Sequence, residues 1–234
     1  MVFILVSQEL NKLVDKGYFD QKAIHISILG MGNLGFQAAR YAYQQYNQLG
    51  FKEKGVEGLR VEFLEKEITP HDNQIKQVLK ETDLLVDATK RPDSTLTIIP
   101  NEWIGYLPEE AIILDLTADP YEIRETGTQV KSIEGLAHGS LEKYIFHVDD
   151  KDWNEGIPEM IDTTHKRKTV SCNAWPGVMA KECMEVYGEK IFPFVELLIT
   201  EGYQLNPNAN DKYERALYRA TIDYFEGNQI ELIR

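Results

Sequence analysis

The run Ala23-Ile24-His25-Ile26-Ser27-Ile28-Leu29-Gly30-Met31-Gly32-Asn33-Leu34-Gly35 decides the fold. Isoleucines at 24, 26 and 28 alternate with His25 and Ser27, the period of a strand. The strand runs straight into a G-x-G-x-x-G turn, after which Leu34, Ala38, Ala42 and Leu49 recur on one side of a helix over 34–48. A lone G-x-G-x-x-G is common, but between a strand and a helix it has a mechanism. Gly30 permits a tight turn, Gly32 lets the backbone approach a pyrophosphate, and Gly35 lets helix and strand pack closely. The expectation is a dinucleotide-binding turn that includes Asn33 and Leu34; an ordinary strand–turn–helix without ligand is the bland alternative.

Outward from this turn the pattern repeats. Leu59–Ile68 reads as a second strand, and Asp72 caps a helix through Ile75, Val78 and Leu79. Asp83–Thr89 is a third strand, a helix around Glu102–Leu107 follows, and Ala111–Thr117 is a fourth strand. Short strands at Val130–Ile133 and Thr169–Cys172 complete the set. An N-terminal helix over 4–17, with Ile4, Leu5, Gln8, Leu13 and Val14 on its apolar spacing, stops at Gly17. The chain ends in helices at Val178–Tyr187, Ile191–Thr200 and Asp211–Phe225, the last capped from the loop Leu205–Asp211. Strands separated by helices predict an α/β fold, a Rossmann-type doubly wound parallel sheet with additional C-terminal helices. We expect an N-terminal helix in residues 1–22, a dinucleotide-binding domain over 23–200, and a helical extension over 201–234 packed on it.

The 234 residues carry 43% hydrophobic and 27% charged side chains, the balance of an ordinary soluble domain. No apolar run reaches the ~20 residues of a membrane span, and Met1–Val6 has neither a basic leader nor a cleavage-type site. Two cysteines, Cys172 and Cys183, make no disulfide framework and fit a reducing compartment, so a cytoplasmic location is expected. The net charge of −13 argues against nucleic acid or an anionic membrane as partner. It does not argue against an anionic cofactor, which backbone N–H groups and a helix N-terminus can hold. The histidines, at 25, 71, 138, 147 and 165, share no metal-ligand spacing with one another or with the cysteines, so no metal site is expected.

Ligands of open α/β sheets sit beyond the carboxyl ends of the strands. Ala88-Thr89-Lys90-Arg91 and Thr117-Ala118-Asp119 should therefore meet over the glycine turn. Ala88 and Thr89 are expected beside the cofactor. Asp119 is either a site carboxylate that could stabilise positive charge on a substrate nitrogen, or a turn residue ahead of Pro120. Glu65 ends the second strand, where an acidic residue holds the adenosine ribose. It lies 30 residues beyond Gly35 rather than the usual ~20, so 51–58 is an insertion or the remnant of a missing strand. In the second case Glu65 is a surface carboxylate. No arginine directly follows it, which favours NAD and leaves NADP open. In Val170–Gly177, Asn173 could bond a nicotinamide amide beside Trp175; blandly, the segment is a turn with a packed tryptophan. No G-x-S-x-G turn occurs.

In their order these blocks resemble the C-terminal half of the alanine dehydrogenase / pyridine nucleotide transhydrogenase superfamily, which includes the lysine-forming saccharopine dehydrogenases. The resemblance covers about residues 23–200. It rests on Ile28–Gly35, Asp83–Ala88, Ile113–Asp119, and Val170–Gly177 continuing to Ile191-Phe192-Pro193-Phe194-Val195. It implies an NAD(P)-binding domain of a dehydrogenase acting on amino acids or on imines of 2-oxo acids. Asp119 matches the family aspartate that assists catalysis near the nicotinamide, and Asn173 falls near the family's asparagine or aspartate ahead of the proline. Pro120-Tyr121-Glu122 departs from the Gln-Gly-Gly of alanine dehydrogenases. Family members also carry an N-terminal domain whose lysine and histidine bind substrate and transfer protons, whereas about 22 residues precede the first strand here. The expectation is an oxidoreductase, or the cofactor-binding subunit of one working with a separate substrate-domain polypeptide, as a homo-oligomer. A non-catalytic dinucleotide sensor or assembly domain is the rival, and a ligand-free structural domain the third reading.

Overall fold

In the computed structural model of the chain, the described residues are 2–64, 72–117, 119–202, 204–221 and 224. In chain order the elements are α1 (Val2–Asp15), β1 (Ala23–Leu29), α2 (Asn33–Gln48), β2 (Gly58–Leu64), α3 (Asp72–Glu81) and β3 (Leu84–Asp87). Then come α4 (Asn101–Ile104), β4 (Ile112–Asp115), β5 (Glu122–Arg124), β6 (Gly127–Gln129), β7 (Ile145–Phe146) and β8 (Lys168–Ser171). The last are α5 (Trp175–Val178), α6 (Ala180–Thr200) and α7 (Lys212–Arg219). They fall into two compact units, Met1–Val178 and Met179–Arg234.

The first unit holds a six-stranded sheet in the order β2-β1-β3-β4-β8-β7. All its pairings are parallel except that of β7 with β8, a departure from the all-parallel expectation. Every residue of β3 and β4 is buried, as expected of strands covered on both faces. Their side chains divide by period two. Leu84, Val86, Ile112 and Leu114 join one core with α1 and with Ala38 and Ala42 of α2. Leu85 and Ile113 join the other, with Ile75 and Leu79 of α3 and Trp103 and Ile104 of α4. This is the doubly wound architecture. The chain leaves β1 toward β2 on one side and reaches β3 on the other, so the reversal of winding lies between β1 and β3.

Several expectations change in detail. The buried face of α1 is Phe3, Val6, Leu10, Leu13 and Val14 rather than the face of Ile4, Leu5 and Gln8, because only that stripe turns to the sheet. Residues 51–55 form a turn, not a strand remnant, with Phe51 and Val56 buried beneath α1 and α2. The strand beside β1 is β2. The helix expected over Glu102–Leu107 is the single turn α4. Val130–Ile133 is no strand: apart from an isolated bridge from Ile99 to Ile133, its backbone is taken by loop partners, Val130 N–H by Ser94 and Ser132 C=O by Ile98 and Ile99. In its place a hairpin of β5 and β6 precedes this segment, and β7 adds an edge.

In the second unit, the two helices expected on either side of residues 188–190 are one, with Pro193 inside α6. Asp211 caps α7, accepting from the N–H groups of Tyr213 and Glu214 at 2.7 and 3.0 Å. The helix ends at Arg219, short of the expected Phe225, which lies outside the described residues.

Candidate functional site

Gly30 leaves β1 with φ +94°, a conformation that favours glycine. A Cβ there would lie 2.7 Å from the Ala88 carbonyl oxygen, so the turn presses directly against the exit of β3. A Cβ on Gly35 would collide with the Gly30 carbonyl oxygen. Gly32 differs from both. It is the extended N-cap residue of α2, has no side-chain cap, and a Cβ there would meet nothing within 4 Å. The first turn of α2 thus has no side chain capping its backbone N–H groups, and the space beside its N-cap is open.

Beyond the turn lies a cavity of about 270 Å3. Leu34 lines it from α2; Thr89, Lys90, Arg91 and Ser94 line it after β3; Leu116, Thr117 and Asp119 line it after β4. The expectation that the two polar exits meet near the glycine turn is met at these residues. Leu34 does not join the helix's buried side but stays 45% exposed at the cavity. A larger depression of about 410 Å3, lined by Glu109, Val148 and Thr164–Arg167, precedes β8 at its amino end. Ligands of open α/β sheets bind at the opposite, carboxyl ends, so the smaller cavity is the candidate.

The walls of this cavity stand on a buried polar network that sequence reasoning missed. Asp87 and Asp115 end β3 and β4 in register, each followed two residues later by a threonine. Thr89 gives its N–H and hydroxyl to Asp87 at 3.1 and 2.8 Å, and Thr117 does the same to Asp115 at 3.0 and 2.8 Å. Ser132 donates to Asp87. Asp115 receives Lys131 at 2.6 Å and the Ser171 hydroxyl at 2.9 Å. Lys131 also donates to the Asp119 carbonyl at 2.9 Å, tying the cavity loop to the network. The available signal was the repeated Asp-x-Thr at two strand ends and a lysine inside an apolar stretch that needs a buried partner.

Burial raises the carboxyl of Asp87, and the neighbouring Asp115 charge adds to it, bringing Asp87 to about 7. Burial would raise Asp115 too, but the Lys131 ammonium together with the Thr117 and Ser171 donors outweighs it and holds Asp115 below the ordinary carboxylate value. The pair therefore divides its roles: one carboxylate compensated by lysine, one poised to carry a proton. Because Asp87 at about 7 lies above its ordinary 3.8, the folded chain keeps a proton that the unfolded chain has lost within that window. Stability is then expected to fall as pH rises from near 4 to near 7 and to level off above. Asp87→Asn should flatten that slope; urea unfolding at several pH values checks it, and an unchanged slope would place the titration elsewhere.

Asp119, 34% exposed in its side chain, is paired with Arg91 at 2.6 Å. Trp175 is anchored by its indole N–H to the Asp115 carbonyl at 3.0 Å and packs against the core. Asn173 is exposed, its backbone N–H held by the Gly139 carbonyl at 3.0 Å. Neither residue lines the 270 Å3 cavity. Glu65 and Ala118 lie outside the described residues, although Glu65 directly follows β2, the neighbour of β1. Among the described residues no three or more His, Cys, Asp or Glu come together to hold a metal ion, and no helix is long and apolar enough to cross a membrane.

The site and sheet define a Rossmann-type α/β class. No family model and no curated protein sequence matches the chain. Among solved structures, a chain assigned as D-3-phosphoglycerate dehydrogenase from Ralstonia solanacearum aligns with a TM-score of 0.37 and 14% identity, over 83% of this chain and 53% of that one. An NAD+-bound 3-phosphoglycerate dehydrogenase from Entamoeba histolytica aligns at 0.30 and 16%, over 47% and 38%. An NAD-complexed D-isomer specific 2-hydroxyacid dehydrogenase from Lactobacillus delbrueckii ssp. bulgaricus aligns at 0.25 and 15%, over 39% and 26%. The chain spans about half or less of each of these proteins.

Proposed function

We propose that the chain binds NAD across the Gly30–Gly35 turn and serves as an NAD(P)-dependent oxidoreductase, or as the cofactor-binding subunit of one. One observation carries the reading: Gly32 alone of the three glycines faces open space, at the head of α2 and beside the reversal between β1 and β3. Gly30 and Gly35 are needed by the fold itself, whereas a glycine at 32 serves close approach of something outside it. The N–H groups of the first turn of α2 suit a pyrophosphate, and the helix dipole adds to them. Thr89 and Ala88 would flank the cofactor. A bound dinucleotide supplies the hydride chemistry; this chain's part is to bind it, orient it and set charge at Asp119. An amino acid or an imine of a 2-oxo acid is the finer reading, resting on the resemblance of the Asp119 block.

The test is a fluorescence titration with NADH and NADPH. Gly32→Ala should weaken NADH binding at least about tenfold while lowering stability by no more than about 1 kcal/mol, the scale of an N-cap change. Failure of both cofactors to bind the native chain at sub-millimolar concentration would overturn the proposal.

A second reading, a dinucleotide sensor or assembly domain without catalysis, is favoured by one feature. The Asp119 carboxylate is already engaged by Arg91. Amino-acid-dependent reduction of NAD by the purified chain alone would rule this reading out.

A further inference from the structure

The cavity beside the glycine turn has a charge balance opposite to that of the chain. Lys90 and Arg91 line it against the single carboxylate of Asp119, in a protein of net charge −13. Arg91 is held rigidly, with its side chain only 6% exposed. Nη1 donates to the Leu96 carbonyl at 2.6 Å, and Nη2 donates to Asp119 and to the Val130 carbonyl, each at 2.6 Å. Nε is buried and has no hydrogen-bond acceptor among the described residues. The Nε–Nη2 edge of a guanidinium is one that takes a carboxylate or phosphate in two-pronged fashion. Here Nη2 is shared between Asp119 and the Val130 carbonyl.

A buried donor without an acceptor is costly to keep. A rigid guanidinium with half an edge unfilled is a pre-organised anion receptor. Lys90, exposed at the same wall, adds a second positive charge on a flexible stem. The Ser94 hydroxyl supplies a further donor at the wall, whereas the Thr89 and Thr117 hydroxyl protons are already given to Asp87 and Asp115. At about 270 Å3 the space suits a small acid or one phosphate rather than a whole dinucleotide.

We propose that this cavity is a binding site for a small oxyanion group, a carboxylate or a phosphate, with Arg91 as its fixed donor and Lys90 as its second cation. The entering group displaces Asp119 from Nη2–H, and the buried Nε–H beside it becomes the second prong as the aspartate leaves, so that binding frees the Asp119 carboxylate. This rests on the proposed function only in taking the cavity as part of the ligand crevice. The oxyanion has two possible sources, a phosphate of the dinucleotide or a separate small organic acid.

The experiment is calorimetric titration of the full chain with oxalate and with inorganic phosphate, at matched ionic strength, without and with saturating NADH. Native chain is expected to bind at least one of them at millimolar concentration. Lys90→Gln should weaken binding about fivefold, and Arg91→Lys, which keeps the charge but loses the planar edge, about tenfold or more. Exclusion of both anions by NADH identifies the group as a phosphate of the dinucleotide. Oxalate binding to the NADH-loaded chain identifies it as a separate acid. The proposal is overturned if neither anion binds at about 20 mM, a concentration that would reveal even weak affinity. It is equally overturned if Lys90→Gln and Arg91→Lys both bind as tightly as the native chain. Lys90 is exposed, so its variant gives a readout even where Arg91→Lys fails to fold. Anion binding without NADH binding would sink the dinucleotide reading and spare this one; the reverse result would do the opposite.

Discussion

Replacing Gly35 with alanine is expected to destabilise the fold by about 3 kcal/mol, the upper range of overpacking. The new methyl group would collide with the Gly30 carbonyl oxygen, which is backbone and not the end of a flexible side chain. Relief requires the head of α2 to move off the exit of β1. The turn has no slack to absorb that, because a Cβ on Gly30 would itself lie 2.7 Å from the Ala88 carbonyl oxygen. Three backbone segments therefore meet at van der Waals limits, and alanine at 35 pushes them apart. Urea unfolding of the variant and the native chain measures this. An unchanged midpoint would mean that helix and turn stand farther apart than described. The contrast with Gly32→Ala separates the two uses of glycine: one position is closed by the fold, the other open to a ligand.

The second large effect belongs to Lys131. Its ammonium group is buried and bonded to Asp115 at 2.6 Å, with a second carboxylate, Asp87, in register on the adjacent strand. Lys131→Met removes the positive charge and keeps the bulk. Asp115 then stays buried with only the Thr117 and Ser171 donors among its named partners and the Asp87 carboxyl beside it. Breaking a buried pair on one side costs about 3–5 kcal/mol, and that is the loss expected at neutral pH. Adding Asp115→Asn to Lys131→Met should restore most of it, since the amide removes the uncompensated charge while still accepting from Thr117. A double variant as unstable as the single one would show that Lys131 acts through its bond to the Asp119 carbonyl instead.

The network explains why the cavity walls hold their shape. Residues 89–91 and 117–119 leave adjacent strands, and each begins with a threonine locked onto a buried aspartate. Lys131 and Arg91 then fasten the far end of the second loop, one at the Asp119 backbone and one at its carboxylate. Such anchoring fixes the carboxylate at the exit of β4 relative to the glycine turn.

The sequence by itself determined the glycine turn and the parallel strands β1 to β4 and β8. Alternation at Ile24, Ile26 and Ile28, apolar runs at 84–86 and 111–114, and the spacing of Gly30, Gly32 and Gly35 are local signals. Local signals suffice where period and burial coincide. They also placed the helix capped by Asp211. What only the tertiary structure decided lies where residues distant in the chain meet. Lys131 read as part of a strand because its neighbours are apolar; its burial comes from Asp115, 16 residues earlier, which no periodicity reports. Arg91 read as a polar strand exit, yet its partners Asp119 and Val130 lie 28 and 39 residues away. Leu34 fits the apolar period of α2 and still points to the cavity, because a residue in the first turn of a helix lies beyond the edge of the sheet it packs on. Secondary structure follows from neighbours in sequence, whereas a site of buried charges follows from which loops the sheet order brings together. The glycine turn and the two polar exits over it were legible in the residues; how their charges pair, Arg91 with Asp119 and Lys131 with Asp115, became so only once β3 and β4 stood side by side.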